Sequence, residues 1–387
     1  MPQTALPPRI RFDRRELSGS IGDLGTDLPL LAGMILASGV DGGWVFLLFG
    51  LMQIVTALIY GIPMPLQPLK VVAVTVIAQG LDGSIIAGGA MAIALIMLTL
   101  TLTGAIDGLS RLIPKAVVRG IQIGLGIKLA RLALGNYIPS EGSSGLLLGG
   151  LSLLFLLIFL RSHRVPAAFI VLISGAFYAV ARGAELGTIG NVNVSAPLPA
   201  IPAASDIWAG LILLALPQIP LSIGNSMLAT QQLADDWFPE RRVSLRKIGI
   251  SYSLFNLFAA LFGGMPVCHG SGGMAGHYAF GGRTGGSVVI YGMFFMTLGL
   301  ASTFGLKNIV ALFPLPVLGV ILLIEGTTLM GRVRDMLAVR FDWMLAMGVG
   351  LTAAFVPNGF MIGMIAGSII AALRLGTLKR FNPLKES

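Results

Sequence analysis

The sequence predicts an all-α, polytopic membrane protein built from two inverted repeats, and three observations support this fold class. Only 11% of the 387 residues are charged and 55% are hydrophobic, whereas an average soluble domain has about 25% charged residues. The mean hydropathy is +0.87, and apolar runs of about the length that crosses a bilayer recur along the chain. Short motifs of the first half also recur in the second half at one nearly constant offset.

Glycine and cysteine usage fits the same class. The chain has 52 glycines, a density that suits closely packed or interrupted membrane helices. A strand of a transmembrane β-barrel alternates apolar and polar residues, and the apolar runs of this sequence show no such alternation. The single cysteine, Cys268, excludes an intrachain disulfide.

A hydropathy window of about 19 residues locates about fourteen apolar segments, which we interpret as transmembrane spans. Two of them are too rich in proline and glycine to be regular helices, and a count of twelve helices, with these two as loops, is the alternative. The segments are 17–38, 44–61, 63–81, 84–104, 114–135, 145–160, 165–182, 207–233, 248–263, 265–280, 285–304, 308–329, 342–355 and 358–376, the irregular ones being 63–81 and 265–280.

The basic residues test this topology, because cytoplasmic loops of membrane proteins are enriched in Lys and Arg. With fourteen crossings and a cytoplasmic amino terminus, most of the 26 basic residues fall on the cytoplasmic side. Arg182 and Lys307 fall on the other side, and Lys70, Arg119, Lys128 and Arg131 lie within spans. The net charge of +9 is therefore explained by topology rather than by nucleic-acid binding. We expect a multi-pass protein of a bacterial-type cytoplasmic (inner) membrane, with both termini cytoplasmic.

Three motif pairs predict the repeat. Ser20-Ile21-Gly22-Asp23 recurs as Ser222-Ile223-Gly224-Asn225, Met64-Pro65 recurs as Met265-Pro266, and Ile113-Pro114-Lys115 resembles Leu315-Pro316-Val317. Seven spans per half is an odd number, so the second half must enter the membrane from the opposite side, as in many secondary transporters. The predicted organisation is a cytoplasmic segment 1–16, a first repeat 17–182, an extracytoplasmic linker 183–206, a second repeat 207–378 and a cytoplasmic tail 379–387.

The two irregular segments predict two broken helices. Pro63, Pro65 and Pro68 remove backbone donors and disfavour helix before each ring, whereas the apolar run 71–78 can be helical. In the second half, the stretch 263–273 is equally irregular and 274–280 can be helical. Inversion points the amino termini of these two half-helices at one another near mid-membrane. Their free N–H groups and partial positive charges predict an anion site there. Kinks that only help packing are the alternative interpretation.

Polar residues within the spans are the candidates for function, because such residues are costly in a membrane. Asp23 is interpreted as a proton or cation site, or as a partner for Lys70, which lies just after the first break. Arg119 and Glu325 occupy matching spans and are candidates for a structural ion pair. Glutamines on spans are weak signals, because helix–helix hydrogen bonding explains them equally well.

Other chemistries are not indicated. Cys268, His269 and His277 lack the spacing of a metal site, and the Walker motif of ATP-driven proteins is absent from the sequence. A nucleophile–base pattern of a membrane hydrolase is also absent. We therefore expect neither an enzyme nor a bound cofactor or metal.

Three stretches resemble a known family. The run from Pro63 to Lys70 and the run from Phe262 to Tyr278 are similar to the two signature motifs of the molybdate transporter family, a branch related to the sulfate permeases. The run from Ser20 to Thr26 resembles that family's first-helix motif. The similarity covers nearly the whole membrane part. It implies a core-plus-gate fold of seven-plus-seven inverted repeats, of the UraA/SulP type.

The resemblance also implies a function, which is movement of molybdate or sulfate by residues at the two breaks. Sulfate permeases usually carry a soluble carboxyl-terminal STAS domain, and the short tail here predicts that this domain is absent. The partners expected are molybdate or sulfate, H⁺ or Na⁺ as coupling ion, the lipid bilayer, and a second copy in a homodimer. A nucleobase–cation symporter of the same architecture is the alternative, although the second break lacks the carboxylate that would bind a base.

The hypothesis is thus a secondary active transporter of a tetrahedral oxyanion, with molybdate preferred over sulfate, and Asp23 as the coupling residue. The predicted substrate-binding residues lie at or beside the two breaks and on the spans that face them. They are Gln53, Gln67, Pro68, Lys70, Asn225, His269, Gly270, Ser271, Gly272 and Gly273.

Overall fold

The computed structural model describes residues 8–106, 108, 114–159, 166–184, 198–303 and 309–381. Residues 185–197 of the predicted linker and residues 382–387 of the predicted tail lie outside the described part of the structure. The loop cations Arg111 and Lys307 also lie outside them.

In the described residues of the first half, the regular elements are helices and one short strand. Helix α1 begins after Asp13, whose carboxylate accepts hydrogen bonds from the N–H groups of Glu16 and Arg15, and these bonds lower the pKa of Asp13. The elements are α1 (Arg14–Ser20), α2 (Leu24–Ser38), α3 (Gly42–Tyr60), β1 (Leu66–Pro68), α4 (Lys70–Gln79), α5 (Gly83–Thr103), α6 (Lys115–Leu132), α7 (Gly142–Phe159) and α8 (Ala167–Ala181).

The second half repeats this order. Its elements are α9 (Ala204–Gly210), α10 (Leu216–Leu221), α11 (Ala229–Trp237), α12 (Leu245–Phe262), β2 (Val267–His269), α13 (Ser271–Ala279), α14 (Gly286–Thr303), α15 (Leu315–Gly331), α16 (Arg340–Phe355) and α17 (Gly359–Phe381). Two π-helical segments, Leu211–Ala215 and Ser222–Leu228, join α9, α10 and α11. A 3-10 turn, Arg332–Met336, extends α15.

Within the described residues, five helices are long and apolar enough to cross a membrane, and six if the bent pair α1 and α2 forms one span. Shorter apolar helices include α4, α8, α14 and the start of α17. Many large apolar side chains face outward, among them Leu147, Phe177 and Leu373. Such a surface is stable against lipid rather than water. The protein is therefore a multi-pass, mostly helical membrane protein, as predicted.

The helix packing reflects the repeat. Helix α3 packs along α14, and its counterpart in the second half, α12, packs along α5, the counterpart of α14. Helices α6 and α15, which occupy equivalent positions, pack against each other. A Cβ atom added to Gly326 on α15 would lie only 2.7 Å from the carbonyl oxygen of Gly126 on α6, so glycine permits this close backbone approach.

Two predicted spans are less regular than expected. The span 17–38 is bent by 40° between α1 and α2, and a Cβ at Gly276 would lie 2.7 Å from the carbonyl oxygen of Gly22 at the bend. The bend thus lets α13 approach the backbone of the first span. The span 207–233 contains Pro217 and Pro220, which supply no N–H donors, and the flanking turns are π-helical.

Candidate functional site

The centre of the protein is a two-stranded antiparallel ladder that joins the two broken segments. Gln67 in β1 lies opposite Cys268 in β2, and Leu66 lies opposite His269. Beyond the ladder, the N–H of Leu69 donates to the carbonyl oxygen of Pro266 at 3.0 Å. Every residue of both strands is buried. The prolines that prevent helix here therefore leave backbone groups that the opposite repeat satisfies.

A side-chain amide in each half holds the start of the local strand. Gln53 on α3 donates to the carbonyl oxygen of Leu66 at 2.7 Å and accepts from its N–H at 2.8 Å. Asn256 on α12, the counterpart of α3, donates to the carbonyl oxygen of Val267 at 2.8 Å and accepts from its N–H at 3.0 Å. The same pair of hydrogen bonds therefore appears in both repeats. In this structure the Gln53 amide holds the backbone of Leu66.

Both half-helices start directly after the ladder. Helix α4 begins at Lys70 and helix α13 begins at Ser271, so their amino-terminal ends flank the same short sheet. Because the strands are antiparallel, the helices leave the sheet in opposite directions. The broken helices and their central amino termini, which the prolines and glycines predicted, are thus present.

The two amino termini have different surroundings. At α4, the N–H of Val71 already donates to the side-chain oxygen of Gln218 at 2.9 Å. At α13, the first residue, Ser271, is followed by two glycines, and the N–H of Met274 donates to the carbonyl oxygen of Gly270 at 3.1 Å. Gln218 was predicted only as a helix–helix contact, and its capping role could not be read from the sequence.

Asp23 and Gln67 meet beside the amino terminus of α13. The Nε2 atom of Gln67 donates to both carboxylate oxygens of Asp23, at 2.7 and 2.8 Å, and both side chains are buried. The other amide atom, Oε1 of Gln67, is buried and has no hydrogen-bond partner. The predicted coupling residue and a predicted ligand residue are therefore in direct contact.

The glycines of the second break make room for this pair. A Cβ at Gly270 would overlap Oε1 of Gln67, and one at Gly273 would overlap Oδ2 of Asp23. A Cβ at Gly272 would have only ordinary contacts, 3.9 Å from both amide atoms of Gln67. Gly270 and Gly273 thus allow the amide and the carboxylate to lie against the first turn of α13, where helix N–H groups favour negative charge.

The His269 ring lies away from this cluster. Side chains alternate across a strand, so the ring is on the face opposite Gln67 and Cys268. Its Nε2 atom is 2.7 Å from Oγ of Ser251, which is 2.6 Å from the hydroxyl of Tyr60. The structure therefore brings Gln67, Gly270, Gly272 and Gly273 together, but not the ring of His269.

The remaining predicted residues are spread around the ladder. Pro68 lies within it, opposite Val267. Ser271 is the first residue of α13 and is buried. Asn225 lies in the π-helical segment Ser222–Leu228, and its side chain is outside the described part of the structure.

Lys70 forms an ion pair with Glu325 on α15, and their side chains are 12% and 17% exposed. Two predicted pairings were therefore wrong. Lys70 does not pair with Asp23, whose oxygens accept from Gln67. Glu325 does not pair with Arg119, which instead binds Asp335 through Nε at 3.0 Å and Nη2 at 2.6 Å. Sequence position alone could not distinguish these partners.

A second buried carboxylate lies one helical turn after Asp23. Asp27 accepts a hydrogen bond from the hydroxyl of Tyr291 on α14 at 2.9 Å, and its other oxygen, Oδ1, has no partner. The sequence predicted no role for Asp27. Two buried acidic side chains therefore lie one helical turn apart, Asp23 against the second break and Asp27 against α14.

A cavity of about 390 Å³ lies between α6 and the stretch from α10 to α11. Its walls carry Lys115, Arg119 and Arg332, and across from them Pro220 and Gly224. Asp335 accepts from Arg119 and lies 2.9 Å from Nζ of Lys115, so it offsets part of the positive charge. The cavity keeps a cationic excess that attracts anions.

Comparisons with known proteins agree with this geometry. A sequence profile of the family described as "Molybdate transporter of MFS superfamily" matches residues 15–129 and 210–329. The chain is 32% identical over 412 residues to "Molybdate transporter 2" of Arabidopsis thaliana, covering 94% of this chain and 88% of that protein. It is 29% identical over 402 residues to "Molybdate transporter 1" of the same plant, covering 92% and 87%.

Among solved structures, the transmembrane domain of a cyanobacterium bicarbonate transporter, BicA, aligns with a TM-score of 0.65 at 19% identity. The alignment covers 89% of this chain and 98% of that one. At this identity the structural likeness shows the fold alone. That fold is the predicted UraA/SulP type. The likeness does not establish the predicted number of fourteen spans. The profile and the plant relatives, together with the paired broken helices, show that the chain belongs to the molybdate transporter family.

Proposed function

We propose that this protein is a secondary active transporter of a tetrahedral oxyanion, with molybdate as the first substrate and sulfate as the second. The observation that carries the proposal is the ladder of β1 and β2, which gathers the amino termini of α4 and α13 at the centre of the protein. Two such helix ends offer N–H donors and partial positive charge, so they can bind an anion without a positively charged side chain of equal charge.

The relatives support molybdate as the substrate. The two Arabidopsis thaliana proteins are named molybdate transporters, and each aligns with more than nine-tenths of this chain. Sulfate is the second candidate because it is also a tetrahedral dianion. The proposed ligand groups are the N–H groups around 67–70 and 269–273, with hydrogen bonds added by the Gln67 and Ser271 side chains and with Lys70 offsetting charge.

Energetics require a coupling ion for import. Moving a dianion into a cell that is 100 mV negative inside costs about 4.6 kcal/mol. We propose that H⁺ or Na⁺ enters with the anion and that Asp23 binds it, because this carboxylate is buried and lies against the first turn of α13. We further propose a cytoplasmic membrane with both termini on the cytoplasmic side, which the distribution of Lys and Arg along the sequence supports.

The test is uptake of molybdate into proteoliposomes that contain the purified full chain. We expect uptake above that of empty vesicles, increased by an inward proton or sodium gradient and reduced by tungstate or sulfate. If no ion gradient produces uptake above empty vesicles, the proposal is wrong. Competition by uracil without competition by tungstate would instead favour the nucleobase symporter.

A matched pair of variants locates the site. The double variant Lys70→Gln, Glu325→Gln removes both charges of one ion pair and leaves neutral hydrogen-bonding groups, so it should fold. We expect it to lower molybdate affinity at least about tenfold, the effect of losing one charge-assisted interaction. Lys128→Gln, on α6 and stacked on Phe360, is the control and should transport normally. Equal effects in the two variants would remove Lys70 from the proposed site.

A further inference from the structure

The Gln67 amide lies between a titratable group and the proposed oxyanion site. Its nitrogen is committed to Asp23, with Nε2 at 2.7 and 2.8 Å from the two carboxylate oxygens. Its oxygen lies against Gly270, is buried, and has no partner. An unpartnered buried amide oxygen is costly, so this orientation needs a reason.

An ionised Asp23 supplies that reason. A carboxylate accepts hydrogen bonds and donates none, so it selects the NH₂ end of the amide and turns the oxygen toward α13. In this state the proposed site faces an amide oxygen beside Gly270 and a carboxylate oxygen beside Gly273. Both oxygens repel a dianion at the end of α13 where its N–H groups would bind one.

A protonated Asp23 reverses the preference. The proton adds to a carboxylate oxygen, and the new O–H group needs an acceptor, which Oε1 of Gln67 becomes when the amide turns over. The terminal torsion of a glutamine side chain is broad and roughly two-fold, so the amide can adopt both orientations. The NH₂ group then faces Gly270 and can donate to an oxyanion. A Cβ at Gly272 would have only ordinary contacts with the amide, at 3.9 Å, so Gly272 does not obstruct this rotation.

We propose that Gln67 is a positioning residue whose amide reversal couples protonation of Asp23 to oxyanion binding. This inference rests on the proposed oxyanion site and specifies the proton as the coupling ion. One proton from the side of entry forms an O–H bond on Asp23, and the same proton leaves to the other side after the anion has gone. No other bond is made or broken.

The other charged and titratable groups near Asp23 have their own partners. Lys70 on α4 pairs with Glu325 on α15, and Asp27 on α2 accepts from Tyr291 on α14. On β2, Cys268 lies opposite Gln67 and is buried. Among the hydrogen bonds of the described residues, the Gln67 amide is joined to the carboxylate of Asp23 and not to that of Asp27.

The test is a titration of molybdate into the purified full chain in detergent, by calorimetry, at pH 5.5 and pH 7.5. If one proton is taken up with each anion, the wild-type affinity rises as pH falls, by up to about tenfold per pH unit. Asp23→Asn, whose side chain can donate to Oε1 as the protonated acid does, should bind tightly at both pH values.

Gln67→Leu separates the amide reversal from simple charge repulsion. We expect it to weaken binding about tenfold where position 23 is neutral, at pH 5.5 and in the Asp23→Asn background, because a donor to the anion is lost. At pH 7.5 with Asp23 present, Gln67→Leu should not weaken binding. Under that condition the wild-type amide presents its oxygen to the site, so no donor to the anion is lost. Asp27→Asn is the control and should leave this pH-dependent effect of Gln67→Leu unchanged.

Equal weakening by Gln67→Leu at both pH values and in both backgrounds would overturn the inference, since a purely structural role predicts that result. Gln67→Met serves as a second apolar variant if Gln67→Leu does not fold, as judged by size-exclusion chromatography. If neither folds, the pH profile of Asp23→Asn decides, and binding that still tightens at low pH overturns the inference. A wild-type protein that binds no molybdate at either pH would refute the proposed function itself.

Discussion

Gly270 offers a sharp test of the geometry around the second break. Its backbone angles, φ −87° and ψ 121°, are ordinary for any residue, so the chain does not require glycine for conformational reasons. A Cβ atom at this position would nevertheless overlap Oε1 and Cδ of Gln67. Gly270→Ala should therefore displace the Gln67 side chain without disturbing the local backbone preference.

The magnitude follows from the bonds that are lost. Displacement breaks the contacts from Nε2 of Gln67 to the two oxygens of buried Asp23. A hydrogen bond to a charged group contributes about 1.5–3 kcal/mol, and we expect Gly270→Ala to lower the free energy of unfolding by that amount. Gly272→Ala is the matched control, because its Cβ would have only ordinary contacts at 3.9 Å. It should be neutral or slightly stabilising, as alanine favours helix over glycine.

The assay is denaturant-induced unfolding of both variants in mixed micelles, followed by the fluorescence of the four tryptophans. Molybdate uptake by the same preparations gives a second readout, which should fall for Gly270→Ala and remain for Gly272→Ala. If the two variants were equally stable and equally active, the close packing of Gln67 on Gly270 would not exist in the protein, and our account of the site would be refuted.

Three further predictions use the same unfolding assay. Glu325→Gln should destabilise the protein by about 3 kcal/mol because it leaves Lys70 without its carboxylate, and replacing both residues by Gln should restore most of the loss. Gln53→Ala and Asn256→Ala should each cost about 2–4 kcal/mol by leaving a buried N–H and C=O unpaired, and unequal losses would contradict their equivalence. Gly326→Val should cost about 1–3 kcal/mol by separating two helices in close backbone contact, whereas an unchanged midpoint would exclude that contact.

The broken helices were predictable because their causes are local. Three closely spaced prolines, at 63, 65 and 68, and the cluster of glycines with Pro266 in 263–273 disfavour regular helix through local backbone effects. The motif repeat then placed the two breaks in equivalent positions. The pairing of β1 with β2 was not predicted, because strand pairing depends on tertiary approach of segments that are far apart in the chain.

The partners of buried polar groups were harder to predict. Lys70 could pair with any acidic residue at its depth, and only the packing of α15 against the core selects Glu325. The clamps formed by Gln53 and Asn256 did leave a signal, since both amides occupy the span before a break. Alignment of the repeats, rather than each glutamine or asparagine alone, would have identified them as one structural device.

The ladder also limits how the protein can move. It fastens the beginnings of α4 and α13 to each other through backbone hydrogen bonds, and each strand is fastened again to a neighbouring helix by a side-chain amide. Separating the two amino termini would break several buried bonds at once. For the transport that we propose, this predicts that a bound anion is not released by separation of the two amino termini. It predicts instead that the ladder and both half-helices move as one rigid unit past the helices around them.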